Sequence, residues 1–413
     1  IRRPPRSTLD RSSAASDVYK RQDIGQIIVP TGGGKTYVMI HDAIKTFYYS
    51  PVPKTIVVVA PRILLANQLC AEFTEFITDV DVAHVHSGET HYFSTTNTKR
   101  LENWYHNSTK NILIFTTYHS LHKVKDSLDI EIDTIYYDEA HNGTQKNFFE
   151  SVKTISADRK FYFTATPKIS KSGAENGMDN SKVWGHVICN VHAKTLINTG
   201  AIVPPKVVPF QTNRKRNKDN AHDVDADNLK DMIESLDNGN HKILVSAPSS
   251  KILGKMLGQT PILDYFKSNG YQVMHITSKF GAVINGKKVG REKFFDILTK
   301  WGGENDKKFV IFHYSILSEG INVNGLTHTI LLRNLPVIEM AQTIGRVIRV
   351  HKDDRKAVAE GLIPSGAFHL YKIAFGQVTM PIGYRMGDVT KMRLEQVVNS
   401  IFIEGVPPLA YCI

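Results

Sequence analysis

Two tandem α/β domains, each built on a mostly parallel sheet with helices on both faces, are what this sequence predicts. Three observations carry the prediction. Short, nearly uninterrupted apolar runs recur from residue 27 onward; each is followed by a longer amphipathic stretch; and the alternation pauses near residues 190–205 before resuming. Apolar runs too continuous to leave one face in water mark strands covered on both sides, which means parallel strands joined by helical crossovers.

In the first domain the expected strands are Ile27–Val29, Thr55–Ala60, Ile112–Thr116, Ile132–Tyr137 and Phe161–Thr164, with helices such as Lys35–Phe47 and Arg62–Ile77 between them. Lys168–Lys182 is rich in Lys, Ser, Gly and Asn, and Asn213–Asn228 is polar with mixed charge; both read as loops or linkers. Between them Val203-Pro204-Pro205-Lys206 leads into the short apolar run Val207–Phe210, and the second block then offers Ile243–Ala247, Gln272–Ile276, Phe309–Phe312 and Thr329–Leu332 as strands. The expected boundaries are 23–192 for the first domain and 193–354 for the second. Residues 355–413, punctuated by Gly and Pro, form a C-terminal extension with no assigned role.

Residues 1–22 stand apart. They hold Arg, Ser, Pro and Ala without apolar periodicity and resemble translated adapter read-through, so they are excluded from the fold. On that expectation the natural N-terminus is missing, and with it any upstream nucleotide-recognition segment. The segment also supplies +4 of the formal +11 charge, through six Lys or Arg and two Asp. The remaining +7 is a modest excess that suits a polyanionic partner. The three cysteines, Cys70, Cys189 and Cys412, lie far apart, which argues against a zinc ribbon or a disulfide framework and for a reducing, cytoplasmic setting. No apolar run approaches 18 residues, so no membrane span is expected.

The strongest local signal is Val29-Pro30-Thr31-Gly32-Gly33-Gly34-Lys35-Thr36, directly after a strand and opening a helix. Glycines let the backbone wrap phosphates with its N–H groups turned inward, and a helix N-terminus adds positive partial charge. Thr31, Gly32, Gly33 and Gly34 are therefore expected to cradle ATP. Lys35 would reach the β- and γ-phosphates, and Thr36 would ligate Mg²⁺. Val29 stands where the strict phosphate-loop pattern has its first glycine. A second signal is the apolar strand that runs into Asp138-Glu139-Ala140-His141. Two acids at the carboxyl edge of a parallel sheet face the phosphate loop. Asp138 is suited to hold Mg²⁺ through water and Glu139 to polarise the attacking water.

Here the chain resembles the DEAD/DEAH-box side of superfamily 2 helicases, whose members often lack that first glycine; the quartet at 138–141 is literally DEAH. Phe163-Thr164-Ala165-Thr166-Pro167 is similar to the family's third motif, which links hydrolysis to movement. The resemblance thus implies coupling roles for His141, Thr164, Ala165 and Thr166. Ala60-Pro61-Arg62 and Thr116-Thr117-Tyr118 resemble strand-contacting motifs, implying nucleic-acid contacts at Pro61, Arg62, Thr116 and Thr117. Ser315–Asn322 resembles the fifth motif and places Gly320 at the nucleotide, although Asn322 stands where the family usually has Asp. Ile243–Ser246 with Pro248-Ser249-Ser250 resembles the fourth motif, and His275–Ser278 the segment after it.

Gln342-Thr343-Ile344-Gly345-Arg346-Val347-Ile348-Arg349 resembles the sixth motif, QxxGRxxR. In a continuous helix Gln342, Arg346 and Arg349 fall within about 60° of one another and point outward together. The resemblance makes the two arginines fingers on the transferring phosphoryl group, with Gln342 beside them. It implies two RecA-like P-loop NTPase domains with ATP and Mg²⁺ held between Lys35, Thr36, Asp138 and Glu139 on one side and Arg346 and Arg349 on the other. Nucleic acid would be the track. The QTIGRVIR block looks similar to phage recombination and repair helicases, and on that analogy single-stranded or branched DNA is preferred to RNA. The oligomeric state is open.

Three other readings compete: a duplex translocase or restriction-modification motor subunit, a nucleic-acid-binding module with a relict ATP site, and a P-loop metabolic kinase. Intact Lys35, Glu139 and both arginines argue against the relict, and DEAH with QTIGRVIR against the kinase. His84-Val85-His86 near His91 lacks acidic or Cys partners at ligand spacing and reads as ordinary histidines. Arg214-Lys215-Arg216 reads as a solvated linker, and Trp104, Tyr105 and Tyr118 as packing.

Overall fold

The computed structural model describes residues 23–236, 239–277, 279–314, 325–383 and 387–406, and the backbone alone of 410–412. It divides into two compact units: the chain through His192 together with the C-terminal strand, and Ala193–Val406.

The first unit runs β1 (Ile24–Ile28), α1 (Lys35–Tyr49), β2 (Thr55–Ala60), α2 (Ile63–Phe76), β3 (Asp81–Val85), β4 (Phe93–Ser94), α3 (Thr98–His106), β5 (Ile112–Thr117), α4 (Leu121–Lys125), β6 (Thr134–Tyr137), α5 (Lys146–Thr154), β7 (Arg159–Thr164), β8 (Lys168–Ser170), α6 (Ser181–Trp184) and β9 (His186–Asn190). Its main sheet has the order β4-β3-β5-β2-β6-β7-β1-β9, with every pairing parallel. Strand β2 shows why. Ile56, Val58 and Ala60 pack with Met39, Leu65 and Phe73 on one face, while Val57 and Val59 pack with Leu101, Leu121 and Val152 on the other. Side chains alternate across a strand, so an apolar run must be roofed by helices on both sides.

Parts of Lys168–Lys182 are more ordered than a loop. The segment opens with β8, which pairs in parallel with Ala410–Cys412, and closes at the start of α6.

The second unit runs α7 (Ala193–Asn198), β10 (Pro205–Thr212), α8 (Ala221–Glu234), β11 (Lys242–Ser246), α9 (Ser250–Gln259), α10 (Ile262–Ser268), β12 (Gln272–Thr277), β13 (Gly281–Ile284), β14 (Lys287–Val289), α11 (Arg291–Gly303), β15 (Phe309–His313), β16 (His328–Leu331), α12 (Val337–Val347), α13 (Lys352–Ala359), β17 (Gly376–Gly383) and α14 (Asp388–Val397). Its sheet order is β10-β17-β16-β11-β15-β12-β13-β14, parallel except for the β12-β13-β14 end. Ile243, Val245, Val310 and Phe312 pack against Leu229, Met256 and Phe266, while Leu244 and Ile311 are buried on the opposite face. Asn285 and Gly286, both at positive φ (47° and 78°), turn β13 into β14. Asn-Gly is the preferred dipeptide for a tight hairpin; it joins the apolar, buried Ala282-Val283-Ile284 of β13 to the short, polar β14.

Two expectations change here. Residues 213–228 are not a solvated linker: α8 begins at Ala221, and Asp225 and Asn228 are buried in it. Arg216 donates from Nε and an Nη to the two carboxylate oxygens of Asp225, each at 2.8 Å, and Arg214 donates to Asp231 and Asn228. Alternating charge looks solvated in a sequence because pairing across a turn is invisible there. The stretch set apart as a C-terminal extension supplies β17, which lies inside the second sheet between β10 and β16. Its Val378, Met380 and Ile382 are buried.

Candidate functional site

The carboxyl ends of β6, β7 and β1, three neighbours in the first sheet, bring the sequence-predicted residues together. Backbone dipoles and loop N–H groups gather at that edge of a parallel sheet, which is where ligands bind. The phosphate loop leaves β1 pinned by Val29 N–H donating to Thr164 O at 3.0 Å, and Gly33 N–H closes a turn on Pro30 O at 2.9 Å. Gly32 and Gly34 sit at φ 83° and 90°. Only glycine adopts such angles without strain. The space where a Cβ of Gly34 would project is open. Thr31, Gly33 and Thr36 are partly exposed around it.

Lys35, first residue of α1, is 10% exposed at its side chain; its Nζ stands 3.5 Å from Glu139 Oε1 and 3.5 Å from Val29 O. Strand β6 delivers Asp138, which is buried, and the chain then turns sharply at Glu139, a non-glycine residue at φ 47°, ψ 53°. A left-handed conformation at such a residue costs about 1–2 kcal/mol, and strain of this kind collects at functional sites. Here it aims the Glu139 carboxylate at Lys35 on one side and at His141 Nδ1, 3.5 Å away, on the other. Asn142 and Tyr118 hold the turn: Asn142 Nδ2 donates to Glu139 O at 3.1 Å and Tyr118 OH to Asp138 O at 3.0 Å. Burial, then the neighbouring Glu139, pushes the Asp138 carboxyl up to about 7, while Lys35 pulls it back.

His141 reaches β7. Its Nδ1 lies 3.0 Å from Thr164 Oγ1 and 3.3 Å from Thr166 Oγ1, and Thr166 N–H donates to Thr164 Oγ1 at 3.0 Å. Ala165 sits between them, buried. The DEAH quartet and the third-motif segment are therefore one hydrogen-bonded cluster.

The strand-contact candidates separate. Pro61 and Arg62 are partly exposed at the start of α2. Thr116 and Thr117 are buried, and Thr116 Oγ1 donates to Val85 O at 2.9 Å. They correct the expectation: the hydroxyl braces β3 against β5 and is not offered to a ligand. Tyr118, read from sequence as packing, holds the Asp138 carbonyl; its place in the Thr116-Thr117-Tyr118 segment was the available signal. His84 and His86 are buried against one another, Nδ1 to Nε2 at 2.9 Å.

In the second unit α12 ends at Val347 with Ile348 as its cap, and Arg349 leaves the helix to pair with Ile202 in an antiparallel bridge. Val203 N–H donates to the Ile348 carbonyl at 2.8 Å. Gln342 and Arg346 are 4% and 3% exposed. The helix ends before residue 349, so the projection that aligned Arg349 with Gln342 and Arg346 on one continuous helix does not hold. The same unit buries His313 at the end of β15. Burial, with Arg346 and Arg333, holds that imidazole down near 3, and Ser246 Oγ meets its Nε2 at 3.1 Å. Gly320, with the fifth-motif stretch, and Ser278 lie outside the described residues, as does 1–22.

A phosphate-loop sequence, a DEAH quartet and the QTIGRVIR block are carried in order on two mostly parallel sheets of the tandem RecA-like kind. Residues 6–169 match the family described as Type III restriction enzyme, res subunit, a match that begins inside the segment set aside at the N-terminus. No curated protein sequence matches the chain significantly. Among solved structures, the chain is similar to the ATP-dependent Type ISP restriction-modification enzyme LlaBIII bound to DNA, with TM-score 0.71 and 16% identity over 99% of this chain and 31% of that one. It also resembles an HsdR-subunit fragment of a type I restriction enzyme from Vibrio vulnificus YJ016 (0.60, 16%, 96% and 65%). A third likeness is to Mss116p bound to single-stranded RNA and AMP-PNP (0.58, 14%, 95% and 72%). The chain thus spans about a third of the Type ISP enzyme and about two thirds of the HsdR fragment. At these identities the likenesses establish the fold.

Among the described residues, no helix is long and apolar enough to cross a membrane.

Proposed function

We propose that this chain is an ATP-driven helicase motor whose track is nucleic acid, single-stranded or branched DNA in preference to RNA. The observation that carries the proposal is Glu139, strained into the left-handed region with Lys35 at 3.5 Å and His141 at 3.5 Å. That arrangement puts a candidate water-polarising carboxylate between a phosphate-binding ammonium and a relay to β7.

The residues fit ATP with Mg²⁺. Gly34 leaves open space over the loop, Lys35 supplies a cation, and the Thr36 hydroxyl and Asp138 carboxylate are the hard oxygen donors Mg²⁺ takes. When bound, the metal neutralises charge on the phosphates. In this assignment Lys35 holds the β- and γ-phosphates, Glu139 orients the attacking water, and His141 with Thr164, Ala165 and Thr166 passes the change at Glu139 to the third-motif segment. Gln342, Arg346, Arg349 and Gly320 supply the second unit's part; an arginine finger contributes about 10³–10⁵ in rate. We assign 23–192 and 193–354 to the two RecA-like domains, with β17 completing the second sheet.

Hydrolysis by the full chain, with no polymer, single-stranded DNA, single-stranded RNA or duplex DNA, tests the reading, with Lys35→Ala and Arg349→Ala as controls. Strong stimulation by single-stranded or branched DNA, lost in both variants, is expected. Hydrolysis indifferent to every polymer, or full activity in either variant, would sink it.

A second reading has a specific observation in its favour. The res-subunit match, with likeness to two kinds of restriction enzyme, supports a duplex translocase that moves without separating strands. Displacement of a third strand from a triplex, without unwinding of a forked duplex, would select it.

A further inference from the structure

Helix α1 carries Lys35 and Thr36 to the phosphate loop, and its N-cap is Gly34, which has no side chain to hold that end. Met39, Ile40 and Ala43 bury the helix against the sheet. Apolar contact of that kind is non-directional. It keeps a helix on its sheet without fixing where along a strand the helix comes to rest.

A polar stripe on the same helix supplies the register. Asp42 and Thr46 follow Lys35 by seven and eleven residues. At about 100° per residue, each lies within about 20° of Lys35 around the helix. The strand they meet is β6. Thr134 and Tyr136 point to the α1 side of the sheet, as their partners Ile56 and Val58 on β2 do, and Asp138 is the next position on that side.

Tyr136 is fully buried, its ring edge-on to Phe163 and flanked by Phe161 and Phe73. Its hydroxyl donates to Asp42 Oδ2 at 2.5 Å, the length of a charge-assisted bond. A buried phenol needs a partner, and this one is a carboxylate only 15% exposed. On the neighbouring strand β7, Arg159 Nη2 stands 3.3 Å from the same Oδ2 and donates to Thr46 Oγ1 at 2.7 Å and to Thr134 Oγ1 at 2.8 Å. The Phe161 ring lies 5.5 Å from its guanidinium. Helix and strand are therefore joined by directional bonds whose strand-side partners are fixed by the core.

We propose that Asp42 is a positioning residue: through Tyr136 it sets the register of α1 against β6, and with it the 3.5 Å separation of Lys35 Nζ from Glu139 Oε1. The proposal rests on the motor reading above and concerns groups that do not reach the phosphates. Asp42 lies two turns down α1 from Lys35, about 10 Å along the axis, and Tyr136 two positions before Asp138, about 7 Å. A misplacement of about 1 Å caused far from the chemistry can lower a rate about a hundredfold. The glycine loop is pinned separately, by Val29 N–H on Thr164 O and Gly33 N–H on Pro30 O. A slip of the helix thus leaves nucleotide binding largely in place and disturbs turnover.

Steady-state ATP hydrolysis by the full chain, with and without saturating single-stranded DNA, tests this in Asp42→Ala, Asp42→Asn, Tyr136→Phe and the Asp42→Ala/Tyr136→Phe double variant. Thermal melting and binding of a methylanthraniloyl-ATP probe accompany it. In Asp42→Ala and in Tyr136→Phe, kcat is expected to fall about tenfold to a hundredfold, with KM and probe affinity within about threefold of wild type. The double variant is expected to be no slower than the slower single one, because both changes remove the same bond. Asn keeps an oxygen acceptor for Tyr136, so Asp42→Asn is expected to restore kcat to within about threefold of wild type.

Wild-type kcat in both single variants, with only the melting temperature lowered, would make the bond a brace for the fold and overturn the proposal. Losses that multiply in the double variant would do the same, as would an Asp42→Asn as slow as Asp42→Ala. A raised KM with kcat unchanged would move the defect to nucleotide binding and also contradict it. If Asp42→Ala does not fold, Tyr136→Phe, which deletes one oxygen, decides. A wild-type chain that hydrolyses no ATP under any condition would overturn the motor reading and this proposal with it, a result distinct from any difference among the variants.

Discussion

His141 Nδ1 lies 3.0 Å from Thr164 Oγ1, so the histidine of the DEAH quartet that follows β6 and the first threonine of the third-motif segment on β7 share one buried hydrogen bond. The same histidine stands 3.5 Å from Glu139, and Thr164 O accepts from Val29 N–H at the mouth of the phosphate loop. Three strand ends are thereby tied through two residues.

Breaking that tie separates hydrolysis from work. Thr164→Ala removes one partner and leaves the imidazole short of a bond, a loss of about 1–3 kcal/mol for a buried group. The expected outcome is strand separation or translocation falling about tenfold or more while polymer-stimulated hydrolysis falls less. Parallel unwinding and phosphate-release assays check it, and equal losses in both would contradict the relay.

Lys35→Ala leaves Asp138 and Glu139 buried without their nearest cation. Turnover is expected to fall by about 10²–10³ or more, the scale of losing one stabilising group at developing charge, while circular dichroism stays that of the folded chain. Turnover within a few-fold of wild type would rule out the phosphate role.

The Asp138 carboxyl is raised above its ordinary 3.8, to about 7, by burial and Glu139. The folded state therefore binds this proton more tightly than the unfolded state, so stability from this group is present at low pH and is lost as pH rises between 3.8 and 7. Asp138→Asn is expected to raise the melting temperature at pH 8 by a few degrees, about 2–4 °C for each kcal/mol relieved, and to narrow that gap at pH 5. Activity moves the other way: holding Mg²⁺ needs the charged form, so turnover falls as pH drops below 7. Melting curves at the two pH values check the stability claim, and a variant less stable than wild type at pH 8 would refute it.

In the second unit, Arg216→Ala strands Asp225, whose side chain is 2% exposed. Breaking a buried pair from one side costs about 3–5 kcal/mol. Arg216 is itself 27% exposed, so the low end, about 3 kcal/mol, is expected. Urea unfolding measures it, and a change below about 1 kcal/mol would mean the pair is solvated after all.

The phosphate loop, the DEAH strand and most core strands were legible because each is local. TGGGKT needs only its neighbours to form a turn and a helix start, and Ile56-Val57-Val58-Val59 announces two covered faces by itself. What escaped the sequence was non-local. The Arg216–Asp225 pair made a helix and a buried ion pair of a stretch that read as solvated. Thr116 turned inward to Val85. Helix α12 stopped at Val347 because Val203 N–H donates to the Ile348 carbonyl, and the angle expected to align Arg349 with Arg346 went with it.

The sequence by itself determined two parallel α/β sheets and the chemistry available at their edges, since apolar periodicity and glycine placement act over a few residues. Only the tertiary structure decided which groups meet. Glu139 faces Lys35 and His141 because a left-handed turn redirects it, and His141 meets Thr164 because β6 and β7 are neighbours. Those are distances set by packing between segments far apart in the chain, and no local pattern encodes them.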